Sequence, residues 1–187
     1  MNGKKINEIR VKCQLDKEYA LQKVYELILG GVQVTNPELL HIKGEVKCGK
    51  NVKFEANIVV EGKVVLGDNV SIGANTILRA CNIGNGTVIK PFSLIDGTVI
   101  GTNCFVGPYA HIRPDVVVGD DVSIGNFVEI KNSNISSGCR INHLSFVGDA
   151  DLAGKVTIGA GTITCNHDGV GINRTTIGQG AYVGSGS

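Results

Sequence analysis

Arg113 and Lys131 stand eighteen residues apart, each directly after an isoleucine, in the stretch IRPDVVVGDDVSIGNFVEIK (residues 112–131). A guanidinium offers a planar fork of donors and an ammonium a compact point charge, a combination that suits a phosphate. If the chain closes one lap in eighteen residues, the two cations share a corner of adjacent coils, about one strand spacing of ~4.8 Å apart. Held that close, they either splay into solvent or take an anion between them, and spacing alone leaves both readings open. His143 follows two six-residue steps later. Imidazole is the side chain best matched to proton transfer near neutral pH, so His143 is the candidate general base, with Glu129 placed to orient its ring. A lone histidine is also a common structural residue, and two such steps put it on another side of the same prism.

The other candidates carry less. Gly159, Ala160 and Gly161 in IGAGTITCN keep side chains off the backbone, which suits either a tight corner or amides aimed at a developing oxyanion. His41 and His111 have no evident partner, and His167, between Asn166 and Asp168, lacks further ligands at metal spacing, so no metal is expected. The six cysteines (13, 48, 81, 104, 139, 165) form no CxxC pair and read as reduced, buried core filler.

These residues need a scaffold with a long, fixed period. Val60, Leu66, Ile72 and Leu78 form one six-residue series; Ile100, Val106, Ile112, Val118, Ile124 and Ile130 form another, with glycine following most members. A strand alternates at two and a helix at 3.6, so a sustained period of six indicates a parallel β-helix, three hexads to a triangular coil. About eight coils fit after Ile42. Residues 1–40 read as a helical segment, one amphipathic helix or a pair, with Ile6, Ile9, Cys13, Leu21, Val24, Tyr25 and Ile28 on a face packed against the body and Gly30-Gly31 as its stop. Residues 41–187 are then the β-helix. Two stretches depart from the period: the one after Lys131, and TCNHDGVGINRTTIG before the pattern resumes at Ile177. The chain ends in mid-series at AYVGSGS, so either a partner covers the last coil or the sequence continues in a longer protein.

A net charge of +1, no tryptophan and 5% aromatic residues argue against a nucleic-acid platform. No apolar run approaches the roughly 20 residues that span a bilayer, and the charged N-terminus lacks an apolar leader core, so no membrane partner and a cytoplasmic location are expected.

FVGPYAHIRPD, IGNFVEIKN, HLSFVGDA and IGAGTITCNHDG, in that order, resemble consecutive motifs of the acetyltransferase domain of the bacterial bifunctional N-acetylglucosamine-1-phosphate uridyltransferase/glucosamine-1-phosphate N-acetyltransferases. The likeness covers nearly all of the chain, including GVQVTNPELLHIKGEV. It implies a homotrimeric left-handed β-helix that moves an acetyl group from acetyl-CoA to the amine of glucosamine 1-phosphate, on the route to UDP-N-acetylglucosamine. By the same resemblance His143 matches the catalytic base and Arg113 and Lys131 the sugar-phosphate clamp. Ala160, Asn166 and Ser185 match positions near the acetyl donor, and the active cleft lies between subunits. Four positions depart from the family pattern: Phe146 and His167 stand where tyrosine is usual, Thr157 where asparagine is, and Ile172 where lysine is, with Arg174 as a nearby replacement cation. Phe146 and Thr157 fall in the acceptor site and His167 in the donor site. The uridylyltransferase domain has no counterpart here, so that activity is not expected. The alternatives are a non-catalytic trimeric scaffold or sugar-phosphate sensor, and an acyltransferase acting on another amino sugar.

Overall fold

The computed structural model describes residues 2–187, with side chains from Lys5 onward. One helix, α1 (Asn2–Leu29), precedes a series of short parallel strands. From Lys4 to Leu29 the chain holds neither Gly nor Pro and is rich in strong helix formers. Gln14 and Gln22 donate to Glu18 and Glu26 one turn on. The helix stops at Gly31, φ +94, where the Val32 amide donates back to the Leu27 carbonyl. The segment is thus one helix rather than a pair. Its packing meets expectation only at the C-terminal end: Val24 is buried and Leu27 and Ile28 pack on the core, whereas Ile6, Ile9 and Cys13 are exposed. Only the last turns meet the first strands, so the N-terminal two-thirds of the apolar stripe has nothing beneath it among the described residues.

The rungs begin before residue 41, since Gln33–Val34 already pairs in parallel with Lys53–Phe54. From there the chain winds as a three-faced parallel β-helix. Nine strands stack on the first face, among them Ser123–Asn126, Arg140–His143 and Thr157–Ile158. Leu40–Cys48 and Ile58–Leu66 each bend through the second and third faces. Higher up the two faces separate, with His111–Ile112, Glu129–Lys131 and Phe146–Gly148 on the second, and Val116–Val118, Asn134–Ile135 and Ala150–Leu152 on the third.

Each strand sends two side chains to the axis. Ile95, Ile112, Ile130 and Val147 form one fully buried ladder, and two residues before each stands a smaller residue, Ser93, Ala110, Val128 or Ser145. At the corner from the third face to the first, this smaller slot also supplies a donor. Thr87 Oγ1 donates to the Gly101 carbonyl at 2.8 Å, and the thiols of Cys104 and Cys139 reach the Gly119 and Ala153 carbonyls at 3.1 Å. Cysteine fits because the slot wants little volume and a weak donor. Burial pushes the Cys81 thiol up to about 12, which removes it as a nucleophile. Cys81, Cys104 and Cys139 are buried as expected, but Cys48 is half-buried and Cys13 and Cys165 are exposed; all six are free.

The two hexad series are out of phase because the laps are unequal. Ile100 pairs with Val118, eighteen residues on, whereas Leu66 pairs with Ile83, Ile83 with Ile100, Val118 with Ile135 and Ile135 with Leu152, each seventeen on. The lost residue falls at the corner between second and third faces, where Leu78 and Ile130 are followed by the next inward aliphatic, Ile83 and Ile135, after five positions rather than six. The stretch after Lys131 is therefore regular winding, not the excursion its sequence suggests. A true insertion comes later: Leu152 pairs with Ile177, twenty-five residues on.

Glycine follows the aliphatic where the next lap passes close. A Cβ on Gly101 would lie 2.6 Å from the Gly119 carbonyl, and one on Gly125 1.9 Å from the Asn142 carbonyl oxygen. After the second face the same position carries Glu61, Arg79, Asp96, Arg113 and Lys131 instead. Gly125→Ala should therefore lower stability by about 3 kcal/mol or more, since the clash is with backbone. Gly178→Ala, with open space around it, should change stability by less than about 0.5 kcal/mol. Urea unfolding of the two variants measures both.

Candidate active site

Charged side chains climb the corner after the second face with alternating sign. Lys43 pairs with Glu61 at 3.3 Å, Glu61 with Arg79 at 2.5 Å, and Arg79 with Asp96 at 3.9 Å. Arg113 follows Asp96 in register, and then the alternation breaks, because Ile112 pairs with Ile130 and so sets Lys131 directly above Arg113. Two adjacent rungs carry like charge here, and each cation takes a carboxylate from elsewhere. Arg113 donates to Glu129 at 2.9 Å and Lys131 to Asp149 at 3.2 Å. Both cations open onto one cavity of about 430 Å³, also lined by Pro114, Asp115, Asn132, Asp149 and Ile172. The eighteen-residue lap thus brings the cations together as the sequence implies.

Asp149 gathers the upper part of this corner. Its carboxylate accepts from Lys131, from Asn132 Nδ2 at 2.6 Å and from Asn166 Nδ2. Burial pushes its pKa up, but the hydrogen bonds from Asn132, Asn166 and Lys131 outweigh burial and hold it below the ordinary carboxylate value. Asn166 begins the inserted loop, which is tied down elsewhere by carboxylates. Asp168 accepts from the amides of Val170 and Gly171 and from Asn173 Nδ2. Asp151 accepts from Asn134 and binds the Arg174 guanidinium through Nε and, at 2.6 Å, through Nη2. Arg174 is fully engaged there and does not line the cavity, so it does not replace the lysine whose place Ile172 takes.

His143 lies at the opposite edge of the second face. It lines a second cavity, of about 490 Å³, with Lys90, Phe105, Tyr109, Asn126 and Phe127 among its neighbours. Its Nδ1 is 3.1 Å from Asn126 Oδ1; with that oxygen accepting, Nδ1 carries the proton and Nε2 keeps a free lone pair. The ring is therefore oriented by Asn126 rather than by Glu129, which is engaged with Arg113. From His143 to Gly148, above Lys131, the chain turns the corner at Leu144 and crosses the second face, roughly 15 Å for five residues at about 3.3 Å per residue less the turn. One chain does not close His143 onto its own cation pair.

Along this same corner the non-glycine residues in left-handed conformation are Asn57, Asn75, Phe92, Tyr109, Phe127 and Leu144. Asparagine tolerates positive φ well and bulky residues poorly. The three rings nevertheless stack in sequence, with centroids 4.9 and 5.1 Å apart, and remain about half exposed, as does Leu144. The switch from Asn to aromatic occurs on the laps that carry the His143 cavity.

The remaining expected residues are placed as follows. Phe146 neighbours Glu129 on the second face, and its ring lies over Gly148, where a Cβ would meet it at 2.5 Å. Thr157 is on the first face above Arg140. Ala160 and Ser185 sit on adjacent laps at the top, where the Gly186 amide donates to the Ala160 carbonyl. The amides of Gly159 and Gly161 donate to the Val183 and His143 carbonyls, which leaves neither for an oxyanion. His167 accepts the Gly169 amide inside the loop. No cluster of three metal-ligating side chains occurs among the described residues. Sequence reading missed Asp149, Asn126 and the aromatic column. The lap arithmetic that pairs Arg113 with Lys131 also reaches Asp149, eighteen residues on, and Asn126 stands one seventeen-residue lap before His143.

Fold and corner chemistry together define a hexapeptide-repeat β-helix. A bacterial transferase hexapeptide (six repeats) model matches residues 97–132, and a GMPPB C-terminal domain model matches 42–113. Over nearly its whole length the chain is homologous to part of the bifunctional protein GlmU. It is 42% identical over 180 residues to that of Aromatoleum aromaticum, covering 96% of this chain and 40% of the relative. It is 50% identical over 157 residues to that of Nitrosomonas eutropha, covering 84% and 34%. The chain thus spans about 40% of the length of the curated relatives it matches. Among solved structures, UDP-N-acetylglucosamine O-acyltransferase (LpxA) from Moraxella catarrhalis aligns at 16% identity and TM-score 0.40, covering 68% of this chain and 66% of that one.

The loop anchors have a defined acid limit. Hydrogen bonds from Arg174 and Asn134 take Asp151 to about 2, and those from the Gly171 and Val170 amides and Asn173 take Asp168 to about 2. A carboxylate depressed in the folded state stabilises above its unfolded value, 3.8, and loses that contribution as pH falls through the folded one. Amide protection in residues 165–174 should therefore fall between about pH 4 and pH 2 while the strands below keep theirs, as read by hydrogen exchange corrected for intrinsic rates.

Proposed function

We propose that this chain transfers the acetyl group of acetyl-CoA to the amine of glucosamine 1-phosphate, giving N-acetylglucosamine 1-phosphate and free CoA. The observation that carries this reading is Arg113 beneath Lys131, the one place where the corner's charges cease to alternate. Adjacent like charges on a rigid scaffold cost energy that an anion between them returns, and both retain donors beyond their carboxylate partners. Among anions, a sugar phosphate is the reading supported by the likeness to GlmU proteins. His143 Nε2 takes the proton of the attacking amine, nitrogen adds to the thioester carbonyl, and the tetrahedral intermediate expels CoA thiolate, which the imidazolium protonates. Asn166, Ala160, His167 and Ser185, at the upper end of the prism, are the donor-side residues in this reading.

The roughly 15 Å between His143 and its own cation pair exceeds the span of one sugar. A homotrimer, with one subunit's corner set against the next one's face, is the assembly that completes the site. The half-exposed stack of Phe92, Tyr109 and Phe127 supports it, because aromatic rings in a strained backbone conformation beside the His143 cavity are otherwise unfavourable on both counts. A second reading, transfer to a different amino sugar, is favoured by the apolar wall that Ile172 adds to the cation cavity.

Thiol release from acetyl-CoA with glucosamine 1-phosphate tests the activity. Expected is turnover that His143→Ala lowers at least about a hundredfold, and a KM for the sugar phosphate that Lys131→Met raises about tenfold or more. No release, or equal rates with and without His143, overturns the enzyme reading; faster release with another amino sugar selects the second one. For the assembly, Tyr109→Asn with Phe127→Asn places at those corners the residue already used at 57 and 75. Sedimentation should show the double variant dissociating while its thermal unfolding stays cooperative.

A further inference from the structure

We propose that Asp149 is a positioning residue that sets Lys131 and the base of the inserted loop relative to each other, so that the acceptor and donor halves of the site share one carboxylate. The inference rests on the acetyltransferase reading for the roles of Lys131 and Asn166, but the tether itself is geometric. The Asp149 side chain is only 5% exposed and takes three donors from two segments: Lys131 at the end of a second-face strand with Asn132 on the corner right after it, one rung below, and Asn166 at the start of the loop. Arg174, the other nearby cation, is held by Asp151.

Backbone geometry does not demand the charge. Asp149 has φ +50, and Gly62, Ala80, Gly97, Asp115 and Asn132 occupy the same left-handed corner of the laps below. Asparagine serves at 132, so asparagine would serve the backbone at 149 as well. What asparagine lacks is a second acceptor oxygen. Its amide would face either Asn132, or Lys131 and Asn166 together, donor to donor, and the Lys131 ammonium would lose its counterion. The carboxylate is therefore placed for its three donors, and two of them are the residues that the acceptor and the acetyl donor meet in the proposed reaction.

Asp149→Asn in the full chain provides the test. Expected is a KM that rises about tenfold for both glucosamine 1-phosphate and acetyl-CoA, as fits loss of charged hydrogen bonds, with a smaller change in kcat. Hydrogen exchange in residues 163–175 should quicken by roughly tenfold as well, with no change in the laps below. Lys131→Met should raise only the sugar-phosphate KM and leave the loop protected. A rise in one KM alone, or unchanged loop exchange, would overturn the proposal. If Asp149→Asn does not fold, Asn166→Ala keeps the buried ion pair and cuts only the tie to the loop; it should loosen 163–175 and raise both KM values, and failure to do either counts against the tether. Wild-type protein that releases no thiol would defeat the acetyltransferase reading alone, while the exchange measurement still decides the tether.

Discussion

Each lap of this chain must pass within one strand spacing of the lap below, and it does so at three corners where the backbone turns through left-handed conformation. That single constraint selects the residues at almost every position. Directly after the aliphatic it admits only glycine where the neighbouring carbonyl comes within 2 to 3 Å of a would-be Cβ, as at Gly101 and Gly125. At the turn itself it favours Asn, Asp and Gly, and in the interior slot before the aliphatic it favours Ser, Thr, Cys, Ala or Val, with Leu40 and Ile58 on the first laps the larger exceptions. The exceptions are where chemistry collects. One corner is wide enough for long charged side chains, and another holds aromatic rings against their conformational preference.

The wide corner turns a sequence spacing into a contact. Residues about one lap apart stand one rung apart, so a charge pattern written at intervals of seventeen or eighteen becomes a vertical column. In most of that column opposite charges neutralise each other along the axis. At Arg113 and Lys131 they do not, and the compensating carboxylates, Glu129 and Asp149, approach from the side. The front of the pair is thereby left facing a cavity instead of another rung.

Much of this was legible in the sequence. A period of six can only be a β-helix once periods of two and 3.6 are excluded, and the eighteen-residue interval from Arg113 to Lys131 predicts their contact. What misled was the five-residue corner. It shortens most laps to seventeen and shifts the hexad phase, so that perfectly regular rungs beyond Lys131 resemble a disordered excursion. The same slippage hid Asn126 below His143 and left Glu129 as the apparent orienting partner. The helix misled for another reason: apolar residues at helical spacing predict a packing face, but only tertiary placement decides whether anything lies beneath it, and beneath Ile6 and Ile9 nothing does among the described residues. The two exposed cysteines lie outside the repeat that gives the buried ones their slots.

The twenty-five-residue lap between Leu152 and Ile177 leaves the rungs on either side in register. The prism therefore tolerates a graft at that corner without repacking its interior, because the added chain leaves and rejoins at points a normal lap would occupy anyway. The rim of the cation cavity is in that sense an interchangeable outboard part: Ile172 and its neighbours can be rewritten while the column of isoleucines that supports them stays as it is.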